Sequence, residues 1–347
     1  MMIGLAGTAL TAKERKFLRD VNPAGVIYFK RNVESPKQLA KLSQELFKEL
    51  KNPLIGIDQE GGRVARLGEP FTAFSANKSL GRYYQKTRKV ELARKKAVAM
   101  ARELKAIGVN LNFTPVVDID SNPKNPIIGD RAFGETRETV AKLADVTIRA
   151  YRKEKVVSCA KHFPGHGDTY SDSHKVLPTV RATRQLLFKR ELYPFAQCVK
   201  SGVPTMMTAH VVYPALDAEN PATLSKTILQ DILRKRMKFK GVIISDDLEM
   251  NAIAKHQSLA SAAVSALKAG VDMLLVCKSL EEAEAIHRAV GLALESGELS
   301  TRQIQASLAR IAKLKKEYVR KPFRVSVREK FAWPSHRQWA HDILTYA

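Results

Sequence analysis

One phrase recurs along this chain and limits its fold more than any other feature: the end of an amphipathic helix, a glycine, a valine, then a short apolar strand. It stands at Ala24-Gly25-Val26 before Ile27-Tyr28-Phe29, and at Ile107-Gly108-Val109 before Asn110-Leu111-Asn112-Phe113. It returns at Ser201-Gly202-Val203, and at Ala269-Gly270-Val271 before Asp272-Met273-Leu274-Leu275-Val276. Glycine after a helix supplies the left-handed residue that closes it. The strands that follow alternate poorly, as parallel strands covered on both faces should. Further strands read at Leu54–Ile57, Val156–Ala160, Met206–Ala209 and Val242–Ile244, and the stretch from Met1 to Gly7 reads as the first. Apolar positions between them recur at helical spacing, as at Val90, Ala93, Ala97, Met100 and Leu104. About eight βα units predict an α/β chain folded as a single (β/α)8 TIM-type barrel. A doubly wound open sheet is the alternative, and the missing dinucleotide fingerprint weighs against it. Residues 1–320 are expected to form the barrel. Residues 321–347, with Pro322, Trp333, Pro334 and Trp339, are expected to form a C-terminal arm or helix packing on it.

With 347 residues, 45% of them hydrophobic, the chain can bury a large core. Its three cysteines, Cys159, Cys198 and Cys277, are odd in number and lack CxxC spacing. That argues against a disulfide framework or a zinc knuckle and for buried free thiols. The N-terminus lacks a basic leader region, and no apolar stretch reaches the roughly 20 residues of a membrane span. A cytoplasmic monomer without a membrane partner is expected. The formal charge, 58 − 35 = +23, would attract polyanions. The densest basic run is Arg234-Lys235-Arg236-Met237-Lys238-Phe239-Lys240. A generally basic, solvated surface is the plainer explanation. No nucleic-acid motif is present, and aromatic residues at 7% offer few stacking platforms, so no specific nucleic-acid partner is expected.

Strand after strand ends in a polar residue. Asp58 follows Ile57; Asp118 and Asp120 follow Phe113-Thr114-Pro115. Lys161 and His162 follow Ala160, His210 follows Ala209, and Ser245, Asp246 and Asp247 follow Ile244. Functional groups of such barrels sit at these strand ends, so five in register imply a shared site. Asp246, on rigid backbone at a barrel mouth, fits a carboxylate nucleophile. A helix N-cap is the competing role, and Asp247 is the better placed for it. The segment from Lys161 to His174 is rich in glycine and proline, and Gly165 and Gly167 suggest mobility. Asp172 and His174 are two residues apart and share a side in extended chain. A carboxylate on one ring nitrogen fixes the tautomer and raises the basicity of the other. An imidazole titrating near pH 6.5 can give and then take a proton at neutrality. Alone, an Asp-x-His pair also suits an ordinary surface loop. His162, His166, His174 and His210 with Asp246 could ligate a metal, but Pro164-Gly165 disfavours ligation on one helical turn. No cofactor is expected.

Four segments carry a resemblance. They are Ile57-Asp58-Gln59-Glu60-Gly61-Gly62-Arg63-Val64-Ala65-Arg66, Gly129-Asp130-Arg131-Ala132-Phe133-Gly134, the loop from Lys161 to His174, and Gly241 to Asp246. In these the chain resembles the β-N-acetylglucosaminidases of glycoside hydrolase family 3, in their short single-domain bacterial branch. The resemblance implies a (β/α)8 fold and a retaining double displacement without cofactor. It implies Asp246 as nucleophile and His174 as general acid/base with Asp172 as its partner. It implies that Asp58, Arg66, Arg131, Lys161 and His162 bind the terminal sugar. Longer glucosidase members take their acid/base from a second domain, and His174 would fill that role here. The implied substrate is a carbohydrate: N-acetylglucosamine at the end of β-1,4-linked muropeptide fragments, including 1,6-anhydromuramyl disaccharides, in cell-wall recycling. Another sugar specificity, or phosphorolysis in place of hydrolysis, is the alternative within the family. Glu249 departs from the small residue of many relatives, and the charge of +23 exceeds what the family requires.

Overall fold

Eight parallel strands close into a barrel in the computed structural model, which describes residues 1–170, 177–254, 257–319, 331 and 333–347. In chain order the strands are β1 (Met2–Gly4), β2 (Gly25–Tyr28), β3 (Leu54–Ile57), β4 (Leu111–Asn112), β5 (Val157–Phe163) and β6 (Thr205–Thr208). An antiparallel pair, β7 (Val212–Tyr213) and β8 (Asp217–Pro221), interrupts the series before β9 (Val242–Asp247) and β10 (Met273–Val276). Around the barrel the order is β1-β10-β9-β6-β5-β4-β3-β2, which is sequence order with the β7/β8 pair set aside. The (β/α)8 architecture expected from the recurring phrase is therefore present.

Alternation still operates, but both faces are apolar. Met2, Ile27, Leu54, Leu111, Val157, Cys159, Met207, Val242, Ile244, Met273 and Leu275 fill the interior. Ile3, Val26, Ile55, Ala160, Met206, Ile243 and Leu274 join the shell between sheet and helices. This double burial removes the polar–apolar pattern from every strand. All three cysteines are buried and free.

Gly108 (φ +88), Gly202 (φ +74) and Gly270 (φ +117) supply the left-handed residues after their helices. The first copy of the phrase works differently. The helix Ala12–Val21 closes on Asn22, itself left-handed at φ 47, and Gly25 already lies in β2. A Cβ on Gly25 would stand 1.9 Å from the Leu54 carbonyl oxygen, so this glycine lets two strands approach.

Near the C-terminus the helix Pro334–Leu344 packs on the helices Asn77–Thr87 and Glu91–Ala106. His336 Nδ1 lies 2.8 Å from Glu103 Oε1. The Glu103 carboxylate also accepts from the Thr72 amide (2.9 Å) and hydroxyl (2.5 Å). Ile343 is fully buried, a contribution of about 1.5–3 kcal/mol. Among the described residues, no helix is long and apolar enough to cross a membrane.

Candidate active site

The strand-end residues converge on one cavity of about 450 Å³ at the barrel mouth. Asp58, Arg66, Arg131, Lys161, His162 and Asp246 all line it. His174 and Asp172, the expected acid/base and its partner, lie outside the described residues.

Two consecutive pairs line the same cavity, Lys161 with His162 and Asp246 with Asp247. Regular strand alternation would turn one member of each pair away. The pairing register shifts between Ala160 and Phe163 on β5, and again where β9 meets β10 at Met273/Leu275. Such irregularities re-aim side chains at barrel rims. The bond between Lys161 and His162 is cis.

The cationic side of the cavity is built around a carboxylate that the sequence reading left without a role. Glu60 is 1% exposed and accepts from Arg131 through Nε (3.0 Å) and Nη2 (2.9 Å). Lys161 Nζ reaches both Glu60 Oε1 and Asp58 Oδ1 at 2.7 Å. Arg66 Nη2 lies 3.4 Å from Asp58 Oδ2. Burial opposes ionisation of Glu60, but Arg131 and Lys161 outweigh it and hold the carboxyl well below the usual range. Burial likewise works against charge on Lys161, and Asp58 and Glu60 reverse it. Three cations and two anions are thus fixed in geometry before any ligand arrives. The turn carrying Asp58 is pinned as well. Gln59 Oε1 accepts from the amides of Arg66 (2.8 Å) and Leu67 (3.2 Å), and the Asn112 amide group brackets Gln59 N and O.

Opposite stands a second device. Asp118 is fully buried and accepts from His162 Nδ1 at 2.7 Å. It also accepts from the backbone amides of His162 (3.2 Å) and His166 (2.6 Å). Burial alone would raise the Asp118 carboxyl, and its His162 and His166 partners bring it below the ordinary value. With Nδ1 donating to Asp118, the Nε2 atom of His162 is left for the cavity. Sequence reading placed Asp118 at a strand end but gave it no task. Its place after Phe113-Thr114-Pro115 cannot reveal a partner 44 residues away.

Gly165 and Gly167 are closely held in the described part of their loop. Asn125 Nδ2 donates to the carbonyls of His166 (2.8 Å) and Gly167 (2.9 Å), and the Tyr213 hydroxyl donates to Gly165 O (2.6 Å). A Cβ on Gly167 would lie 1.7 Å from Ile119 O. Close packing gives that glycine a structural reason. His166 is buried with Nδ1 2.9 Å from Thr169 Oγ1, and burial lowers its pKa to about 4. His210 is buried too, its Nε2 3.0 Å from the Asp247 carbonyl and its Nδ1 2.7 Å from Thr223 Oγ1. No metal-holding group of three His, Cys, Asp or Glu residues occurs among the described residues.

The adjacent carboxyls Asp246 and Asp247 are shifted in opposite directions. Burial pushes Asp246 up, but His162, His210, the Asp247 amide (2.8 Å) and Lys161 outweigh it and keep it ionised. Burial and the neighbouring Glu249 push Asp247 up to about 7. Asp247 Oδ1 accepts from the amides of Glu249 (3.2 Å) and Cys277 (3.3 Å), closing a turn; the next helix begins only at Asn251, so Asp247 is not the helix cap expected of it. Glu249 turns from the cavity to the amides of Lys278 (2.5 Å) and Ser279 (2.9 Å).

Known proteins share this arrangement of chain. The family model described as the glycosyl hydrolase family 3 N-terminal domain matches residues 2–314. The β-hexosaminidase A of Pseudoalteromonas piscicida is 36% identical over 99% of this chain. A family 3 β-N-acetylglucosaminidase from Paenibacillus sp. superposes with a TM-score of 0.95 at 38% identity over 99% of this chain. This chain spans 61% of the first protein's length and 66% of the second's. NagZ from Neisseria gonorrhoeae, solved with N-trifluoroacetyl-D-glucosamine, superposes with a TM-score of 0.85 at 31% identity, covering 97% of that chain and all of this one. On the family model and these likenesses together, the chain belongs to glycosyl hydrolase family 3, through that family's N-terminal domain.

Proposed function

We propose that this chain is a retaining exo-β-N-acetylglucosaminidase that removes terminal N-acetylglucosamine from β-1,4-linked muropeptide fragments of the anhydromuramyl type. Cell-wall recycling, a cytoplasmic location and a monomeric state belong to the same reading. The observation that carries it is the buried carboxylate of Asp246, held ionised by its neighbours and lining a cavity already furnished with fixed donors and acceptors. The names of its relatives, hexosaminidase and N-acetylglucosaminidase, support the sugar class.

In this reading Asp58, Lys161 and Arg131 hold the hydroxyls and acetamido group of the terminal sugar. His162, held by Asp118, presents its Nε2 atom to the sugar. Asp246 attacks the anomeric carbon while His174 protonates the departing glycosidic oxygen. A glycosyl ester on Asp246 results. His174 then takes a proton from water, which attacks the same carbon and releases Asp246 with the β configuration retained. Asp172 orients His174 throughout.

A pair of aryl glycosides differing only at the sugar 2-position tests the specificity. Turnover of the 4-nitrophenyl N-acetyl-β-glucosaminide should exceed that of the β-glucoside by roughly 100-fold in kcat/KM, because a site built for an amide leaves polar groups unpaired without it. Equal rates, or preference for the glucoside, would overturn the assignment.

A further inference from the structure

The basic run from Arg234 to Lys240 separates in the structure into individual tasks. Arg234 is structural: it bonds Asp272 and the carbonyls of Phe239 (3.0 Å) and Gly241 (2.7 Å). Lys235 pairs with Asp231 at 2.8 Å, and Arg236 lies 3.9 Å over the Phe188 ring. Lys240, exposed, has no hydrogen-bond or ion-pair partner among the described residues and reaches a different place.

That place is a pocket of about 220 Å³ at the starts of β6 and β9, the end of the barrel opposite the candidate active site. Arg152, Lys240, Arg310 and Lys313 line it, against one carboxylate, Glu317. Both guanidiniums are anchored through Nη1, Arg152 on Ser201 O (3.0 Å) and Arg310 on Asp272 Oδ1 (2.8 Å). Asp272 is itself held by Ser307 Oγ (2.7 Å) and the Ile243 amide (2.8 Å). Each anchored guanidinium keeps further N–H groups without partners among the described residues, and its planar fork matches a tetrahedral oxyanion. Lys313, like Lys240, has no described partner. Four cations around one small concavity repel one another, and a doubly charged ligand relieves that repulsion.

We propose that this floor pocket, formed by Arg152, Lys240, Arg310 and Lys313, binds a phosphate group, either free phosphate or the terminal group of a small phosphomonoester. Nothing in the glycosidase reaction requires these residues, and the site stands independently of that reading. Its charge gives local meaning to part of the +23.

Calorimetric titration at constant ionic strength tests it, with saturating N-acetylglucosamine present to occupy the barrel mouth. Inorganic phosphate and phenyl phosphate are the probes. The expected result is saturable binding of one anion per chain, weakened on the order of tenfold or more in the Lys240→Glu and Lys313→Glu variants. Hydrolysis of the aryl N-acetylglucosaminide should be unchanged in both. Tighter binding of phenyl phosphate identifies a phosphomonoester as the ligand; equal or weaker binding identifies free phosphate. Absence of saturable binding, or binding that both variants retain, overturns the proposal.

Discussion

Asp118 has no exposure and three donors, yet its importance is for a neighbour. Replacing it with Asn keeps the shape but offers His162 Nδ1 an amide in place of a carboxylate. The expected outcome is a loss of roughly 10- to 100-fold in kcat/KM, with a changed pH profile. An unaltered profile would reduce Asp118 to a packing residue. Glu191 offers a prediction about stability. Its side chain is fully buried, it pairs with Arg190 at 2.5 Å, and its Oε2 lacks a partner. Burial raises its carboxyl from 4.5 to about 7, despite Arg190. Between those pH values the folded chain keeps a proton that the unfolded chain has lost. Stability from this group is therefore greatest at the acid end and falls as pH rises through the window. Glu191→Gln should exceed the parent in stability at pH 8, by at most about 3 kcal/mol, and converge with it at pH 5. Thermal melts at both pH values decide this, and a variant less stable at pH 8 contradicts it. Asp58, Arg66, Arg131, Lys161, His162 and Asp246 were legible as strand-end or motif residues. Glu60 and Asp118 stood in the same segments without a role, because their meaning lies in partners far away in sequence.

At the scale of elements, what the sequence concealed is irregularity. Helix ends and apolar strands follow local rules, so their number and order could be read directly. The register shifts on β5 and at β9/β10 have no local signature, yet they bring both members of Lys161–His162 and Asp246–Asp247 to one cavity. The glycines of the Lys161–His174 loop conceal their packing for a related reason. Composition suggests freedom, whereas Asn125, Tyr213 and Ile119 surround Gly165 and Gly167. Gly167→Ala should therefore cost activity and stability together, since a methyl group cannot fit 1.7 Å from a carbonyl oxygen. If only turnover fell, with an unchanged melting temperature, the glycine would be needed for movement after all. The C-terminal helix gives the converse case. Ile343→Ala should lower stability by about 2–4 kcal/mol with little change in KM, because the residue belongs to the shell outside the barrel and does not line the mouth.

For the whole molecule, the barrel separates its two ends. One end gathers Asp246 and the sugar-binding candidates, and the other carries the cationic pocket around Arg310. The division follows from parallel strands, which place every loop after a strand on one side. The central claim is that chemistry at the mouth passes through a covalent bond to Asp246. The direct measurement is peptide mass mapping after incubation with a 5-fluoro N-acetyl-β-glucosaminyl fluoride, which loads the enzyme faster than it is released. One sugar per chain should appear on the peptide containing Asp246, and none in Asp246→Ala, whose turnover should fall at least about 10³-fold. A sugar attached to another carboxylate, or full turnover without any adduct, would contradict the account.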